Sequence, residues 1–256
     1  MTIETARKGA VLTVTNNDPA TRNALSWAFY DGFRTLMEEA AEDAATRAVV
    51  LTGAGGFFCS GGNVNGLAER AAQPYEERRA SVERLHGMIR AMRACPKPVI
   101  AAIEGGAAGA GASLALACDL IVAAKGAYVS VAYVRIGLTP DGGVTKLLAD
   151  ALPRPLVNEM AMTGARVGVE RLHALGLINR LSEPGAALAE AEAWAAELAS
   201  GPVGAIGRIK GLVAGAEEAD FETQLDREAD GIAFSLGSAE GQEGIAAFRE
   251  KRKPAW

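Results

Sequence analysis

The stretch PVIAAIEGGAAGAGASLALACD, residues 98–119, decides how this chain is read. It opens on an apolar run at 99–103 that predicts a buried strand. A turn made only of glycine and alanine follows at 105–111, and 112–117 predicts an apolar helix. Such a turn projects almost no side chain, so a second backbone or a ligand can approach closely. The helix behind it presents unpaired N–H groups and the positive end of its dipole. A strand, glycine turn and helix in this order can serve an anion, or a carbonyl oxygen that becomes negative during a reaction.

Working outward, the neighbouring residues separate those uses. A dinucleotide turn needs G-x-G-x-x-G, but Gly109-Ala110-Gly111 is followed by Ala112-Ser113-Leu114, so the third glycine is missing. A P-loop needs Gly-Lys followed by Ser or Thr, and the chain holds no Gly-Lys pair. A tight turn without a ligand remains open for the stretch taken alone. A second strand and glycine turn, residues 49–65 with Ser60-Gly61-Gly62-Asn63 at its end, points further. Two such turns can aim two backbone N–H groups at one oxygen, which is what stabilising a thioester enolate requires.

Composition bounds the class. The chain has 256 residues, 49% apolar and 22% charged, and a formal charge of −5 from 26 basic and 31 acidic residues. This argues against a general nucleic-acid binder. No apolar run reaches the roughly 18–20 residues of a membrane span, and the N-terminal residues lack a signal-peptide pattern, so a cytoplasmic protein is expected. Cys59, Cys95 and Cys118 are scattered and His86 and His173 are the two histidines, so no metal site is expected.

Strands are predicted at 2–7, 10–16, 48–52, 99–103, 120–124, 127–131 and 177–181. Helices are predicted after Ser26, across 82–92, at 112–117, through 146–149, at 153–163 and at 169–174. Residues 68–77 read as a polar, mobile segment, and from 183 onward the pattern is helical, at about 185–200, 202–215, 220–236 and 239–251. The expected organisation is α/β over 1–182 and all-α over 183–256.

Four motifs carry a resemblance: Arg22-Asn23-Ala24-Leu25-Ser26, Phe58-Cys59-Ser60-Gly61-Gly62-Asn63, the 105–119 segment, and Ile136-Gly137-Leu138-Thr139-Pro140-Asp141-Gly142-Gly143. In this order, together with the tail at 248–254, they resemble the crotonase family, the enoyl-CoA hydratase/isomerase superfamily. The similarity covers essentially the whole chain, and its motifs come closest to the phenylacetate-pathway type of enoyl-CoA isomerase. It implies a spiral of ββα units with an α-helical C-terminal region that mediates trimerisation, as a homotrimer or a dimer of trimers. It implies an acyl-CoA thioester substrate, with coenzyme A as part of that substrate and no tightly bound cofactor.

Residue by residue, the resemblance places the two oxyanion N–H groups at Gly62 and Ala110, with Asn63 standing where the family usually has Asp. Backbone around Ala24, Leu25, Gly62 and Val64 would hold coenzyme A, with Arg22 and Lys251 or Lys253 facing its phosphates. The two positions at which hydratases of the family carry glutamates fall on Ser113 and Tyr133, and neither side chain is a carboxylate base. Asp141 then becomes the candidate acid/base for moving a double bond, with Tyr133 and Ser113 shaping the pocket. Its alternative role is the cap of the helix that follows. A dehalogenase-like branch suggests a different pairing, Asp141 as nucleophile with His86 as base, and hydrolytic chemistry. Hydration through a differently held water, and a catalytically inert CoA-thioester binder, complete the readings left open.

Overall fold

The computed structural model describes residues 3–216 and 218–256, apart from the side chains of Val64 and Asn65. The chain begins with an antiparallel hairpin of β1 (Ile3–Lys8) and β2 (Val11–Asn16), turning on Gly9 at a left-handed φ of 59°. A short 3-10 turn at Pro19–Thr21 leads to α1 (Trp27–Glu42), whose first turn is closed by Ser26 Oγ accepting from the Phe29 N–H. Strand β3 (Ala48–Gly53) returns parallel to β2. Then come α2 (Val64–Ala71) and α3 (Tyr75–Ala94). The segment expected to be mobile at 68–77 is therefore mostly helical: α2 runs to Ala71, Pro74 sits just before α3, and Glu76 and Glu77 occupy the first turn, where carboxylates favour the helix dipole.

The 98–119 stretch folds as β4 (Val99–Ile103), β5 (Gly106–Ala108) and α4 (Ala110–Leu116). The glycine turn thus contains a short strand of its own. Next come β6 (Leu120–Ala124), β7 (Tyr128–Ser130) and a 3-10 segment at Ala132–Ile136. They are followed by α5 (Val144–Ala151), α6 (Arg154–Thr163), β8 (Arg166–Gly168), α7 (Val169–Ala174) and β9 (Arg180–Ser182). The rest is α8 (Ala187–Ala199), α9 (Val203–Ala216), α10 (Phe221–Gly237) and α11 (Ala239–Glu250).

Six strands form the larger sheet in the order β1-β2-β3-β4-β6-β9, and β5-β7-β8 form a smaller one. The chain passes repeatedly from the large sheet to the small one and then into a helix. In β4-β5-α4 and again in β6-β7 followed by the 3-10 turn, this is the ββα spiral expected from the motifs. An isolated parallel bridge between Cys59 and Ala107 gives β3 and α2 the same layout. The main core lies on one face of the large sheet under α1 and α3, with Phe29, Phe33, Met88 and Met92 fully buried beside Leu51 and Ile103. On the other face, Ala187, Ala191, Ala195 and Ala199 of α8 lie against Val50, Ile100 and Val122, so this first helix beyond residue 182 packs directly on the sheet.

One lysine ties the later helices to this body. Lys210 Nζ on α9 lies 2.8 Å from Asp119 Oδ2 and donates to the carbonyls of Met92 (3.1 Å) and Lys97 (3.2 Å). Asp119 also accepts from the Val99 N–H at 2.8 Å. Burial pushes the Asp119 carboxyl up, and Lys210 acts against it. Replacing Lys210 with Met should leave this carboxylate without its hydrogen-bonded cation and lower stability by about 2 kcal/mol, read as a lower urea midpoint. An unchanged midpoint would remove the tie.

Candidate active site

The site begins with two consecutive left-handed residues that are not glycine, Arg22 (φ 55°) and Asn23 (φ 59°). Asparagine tolerates this region because its short amide can bond locally. Fully buried, Asn23 donates from Nδ2 to the carbonyls of Ala54 (2.8 Å) and Phe57 (2.5 Å). Its Oδ1 accepts from the Asp18 N–H at 2.9 Å, and its own carbonyl accepts from Asn16 Nδ2 at 2.8 Å. The loop so fixed delivers Leu25, whose N–H donates to Gly61 O (2.7 Å) and whose carbonyl accepts from the Asn63 N–H (3.2 Å). Gly62 sits between those two bonds in a parallel bridge to Leu25, so its own N–H lies outside the ladder.

The second turn is pressed against the first. Cys59 N–H donates to Gly106 O (3.2 Å) and its carbonyl accepts from the Ala108 N–H (2.9 Å). A Cβ at Gly61, where φ is 109°, would stand 2.9 Å from Ala108 O, and one at Gly111 only 2.6 Å from Cys59 O. Both positions require glycine. Ala110, the first residue of α4, follows Gly109 at a left-handed φ of 51° and has its N–H free of the helical ladder by position. The predicted N–H donors Gly62 and Ala110 thus come to one place.

They line a cavity of about 250 Å³. Asp141 lies half-buried on its wall, the one carboxylate there among the described residues. It does not cap α5, whose N-cap is Gly143 without a side-chain bond. Instead Tyr133 Oη donates to Asp141 Oδ1 at 2.7 Å. Ser113, fully buried behind the wall, donates to the Asp141 carbonyl at 2.9 Å and lies 3.1 Å from Tyr133 Oη. Burial, reinforced by the Asp141 charge, pushes the Tyr133 phenol well above its usual range, so it stays a donor. Burial likewise pushes the Cys59 thiol up to about 12, which leaves it a neutral packing group.

His86 does not line this cavity. Its Nε2 accepts from the Gly142 N–H at 3.4 Å and its Nδ1 lies 3.5 Å from Glu83 Oε1, so the ring addresses the backbone beside Asp141 and not its carboxylate. Of the expected coenzyme A residues, Ala24 is half-buried beside Leu25, while Leu25 is itself a core side chain that serves through its backbone. Arg22 is exposed, with its guanidinium 5.6 Å over the Phe57 ring. Asn63 is exposed at the mouth of a neighbouring cavity, and the Val64 side chain lies outside the described residues. Lys251 and Lys253 are exposed at the end of α11 and line neither cavity.

The expectation that residues 68–84 line the pocket holds for Arg70, Ser81 and Val82, the later helices expected there contribute no residue among those described, and Tyr30 and Arg135 on the wall were not singled out from the sequence. Tyr30 had a signal, since it lies three residues before Phe33 on the buried stripe of α1. Arg70 and Ser81 flank or lie in the segment read as mobile. Among the described residues no cluster of three or more His, Cys, Asp or Glu side chains is placed to hold a metal, and no helix is long and apolar enough to cross a membrane.

The family model for enoyl-CoA hydratase/isomerase matches residues 6–256. The chain is 34% identical over 245 residues to a 1,2-epoxyphenylacetyl-CoA isomerase of Escherichia coli K12, covering 95% of this chain and 94% of the relative. It is 35% identical over 243 residues to the human mitochondrial enoyl-CoA hydratase domain-containing protein 2, covering 93% and 82%. The crystal structure of an enoyl-CoA hydratase from Polaromonas sp. JS666 superposes with a TM-score of 0.96 at 42% identity, covering 98% of both chains.

Because the Asn23 side chain makes three of the bonds that hold the first turn, Asn23→Ala should lower stability by about 2–4 kcal/mol in urea unfolding. A loss below about 0.5 kcal/mol would show that the loop holds without it.

Proposed function

The chain belongs to the enoyl-CoA hydratase/isomerase family, and on that premise we propose that it shifts a double bond within an enoyl-CoA thioester, with Asp141 as the single acid/base. The observation that carries this reading is Asp141 itself: a carboxylate on the cavity wall, held by Tyr133 and not spent on capping a helix. In a 3-enoyl thioester, Asp141 takes a proton from C2. The C–H electrons pass into a dienolate whose charge rests on the thioester oxygen, and the N–H groups of Gly62 and Ala110 stabilise that oxygen. The same carboxyl returns the proton to C4, leaving the double bond between C2 and C3. Tyr133 engages Oδ1 and leaves Oδ2 for the transfer. The shift is redox-neutral, so it needs no cofactor beyond the coenzyme A of the substrate. A hydratase that activates water between two carboxylates has less support, since among the described residues the wall carries one.

In this reading backbone around Ala24, Gly62 and Val64 holds the pantetheine and adenine of coenzyme A. Arg22 faces its phosphates, and Lys251 or Lys253 reaches them from a neighbouring subunit. The later helices expose Phe221, Ile232, Phe234, Leu236 and Phe248, an apolar surface that supports a homotrimer or a dimer of trimers. Light scattering should give a mass three or six times that of one 26.5 kDa chain; a monomer would reject this assembly.

Asp141→Asn should reduce turnover of 3-enoyl-CoA substrates by about a hundred-fold or more while coenzyme A binding persists. Unchanged turnover would end the role of Asp141. Absence of turnover in the unsubstituted protein across 2-enoyl-, 3-enoyl- and aryl-CoA thioesters would favour a binding protein.

A further inference from the structure

The cavity that holds Asp141 is not charge-balanced. Two guanidiniums, Arg70 and Arg135, lie on its wall with the one carboxylate. Arg70 is half-buried, extending from α2 between α1 and α3. Its Nε donates to Gly66 O at 3.3 Å, Nη1 donates to Ser81 Oγ at 3.3 Å, and its guanidinium lies 5.1 Å from the centre of the Trp27 ring. These contacts are all neutral. Glu69, next to it in sequence, is exposed and forms no ion pair with it, and among the described residues no acid is within ion-pair distance of Arg70 or Arg135. A guanidinium carries five N–H groups in a rigid fork, so Arg70 keeps donors to spare.

Tyr30 completes the same corner. It is 93% buried by residue yet lines the cavity, and its ring stands edge-on to Trp27 at 5.8 Å. Burial pushes its phenol up, Asp141 adds to the shift and Arg70 opposes it, so the hydroxyl stays protonated and lies within the field of both. A half-buried cation held only by neutral groups is costly unless a ligand brings the counter-charge.

We propose that Arg70, with Tyr30 and Ser81, forms a subsite for a carboxylate at the far end of the acyl group, so that the favoured substrates are short enoyl-CoA thioesters carrying a terminal carboxylate. This rests on the acyl-CoA reading of the cavity. Coenzyme A phosphates are the other source of an anion for Arg70. The fork of Arg70 pairs with the carboxylate, the Tyr30 hydroxyl donates to it, and Asp141 remains free for the proton transfer at the thioester end. The cavity, about 250 Å³, suits a short chain.

The test compares adipoyl-CoA with hexanoyl-CoA, saturated six-carbon thioesters that differ in the terminal carboxylate, by calorimetric titration of the intact protein. Their 3-enoyl counterparts are compared by kcat/KM. Adipoyl-CoA should bind about ten- to a hundred-fold more tightly, and Arg70→Met should bring the ratio close to one. Tyr30→Phe should lower the ratio by a smaller factor and serves if Arg70→Met does not fold. Equal or weaker binding of adipoyl-CoA by the unsubstituted protein overturns the proposal. So does an equal loss for both thioesters and for free coenzyme A in Arg70→Met, which would assign Arg70 to the phosphates. A carboxylate preference that depends on Arg70, without turnover of either enoyl thioester, would uphold the subsite while rejecting the isomerase reading.

Discussion

The close approach of two backbone turns governs this structure. Gly61 and Gly111 allow the 59–62 and 105–111 segments to lie at van der Waals contact, and the bonds of Cys59 with Gly106 and Ala108 lock them in register. No side chain could be inserted at either glycine without moving a carbonyl. From this contact follow the positions of the Gly62 and Ala110 N–H groups, the start of α4 and the floor of the cavity. The rest of the spiral supplies the rigidity that keeps two flexible residue types in one arrangement.

Much of this was legible in the chain because it is written in local chemistry. The apolar runs at 48–52, 99–103 and 120–124 became β3, β4 and β6 because buried parallel strands are apolar on both faces. Ser26 was legible as a cap, since Ser before an apolar periodic run is a helix start. What was not legible depended on tertiary contact. The helices over 64–94 were partly hidden because α2 and the first turns of α3 carry polar residues and draw their stability from packing over the cavity. Strand β8 is three residues long and exists by pairing with β7.

The candidate site divides in the same way. Gly62, Ala110 and Asp141, singled out through the family resemblance of their motifs, line one cavity. The partner of Asp141 was not readable: Tyr133 could be named as a pocket residue, but its bond to the carboxylate depends on how the 3-10 turn presents the ring. The helix-cap reading of Asp141 failed for a local reason, since Gly142 and Gly143 both have positive φ and carry the chain away from a capping geometry. His86, offered from the sequence as a base for Asp141, has its Nε2 bonded to the Gly142 amide, a contact that depends on how α3 packs and that no local pattern announces.

The Lys210 contact has a structural consequence. Its ammonium grips the C-terminal end of α3 through the Met92 carbonyl. That helix runs 20 residues, about 30 Å, and its middle carries Ser81, Val82 and Leu85 into the cavity wall. One helix is thus shared: α3 meets the later helices at its C-terminal end and supplies part of the cavity wall further back along its length, so the packing of α9 and the wall of the cavity rest on the same element.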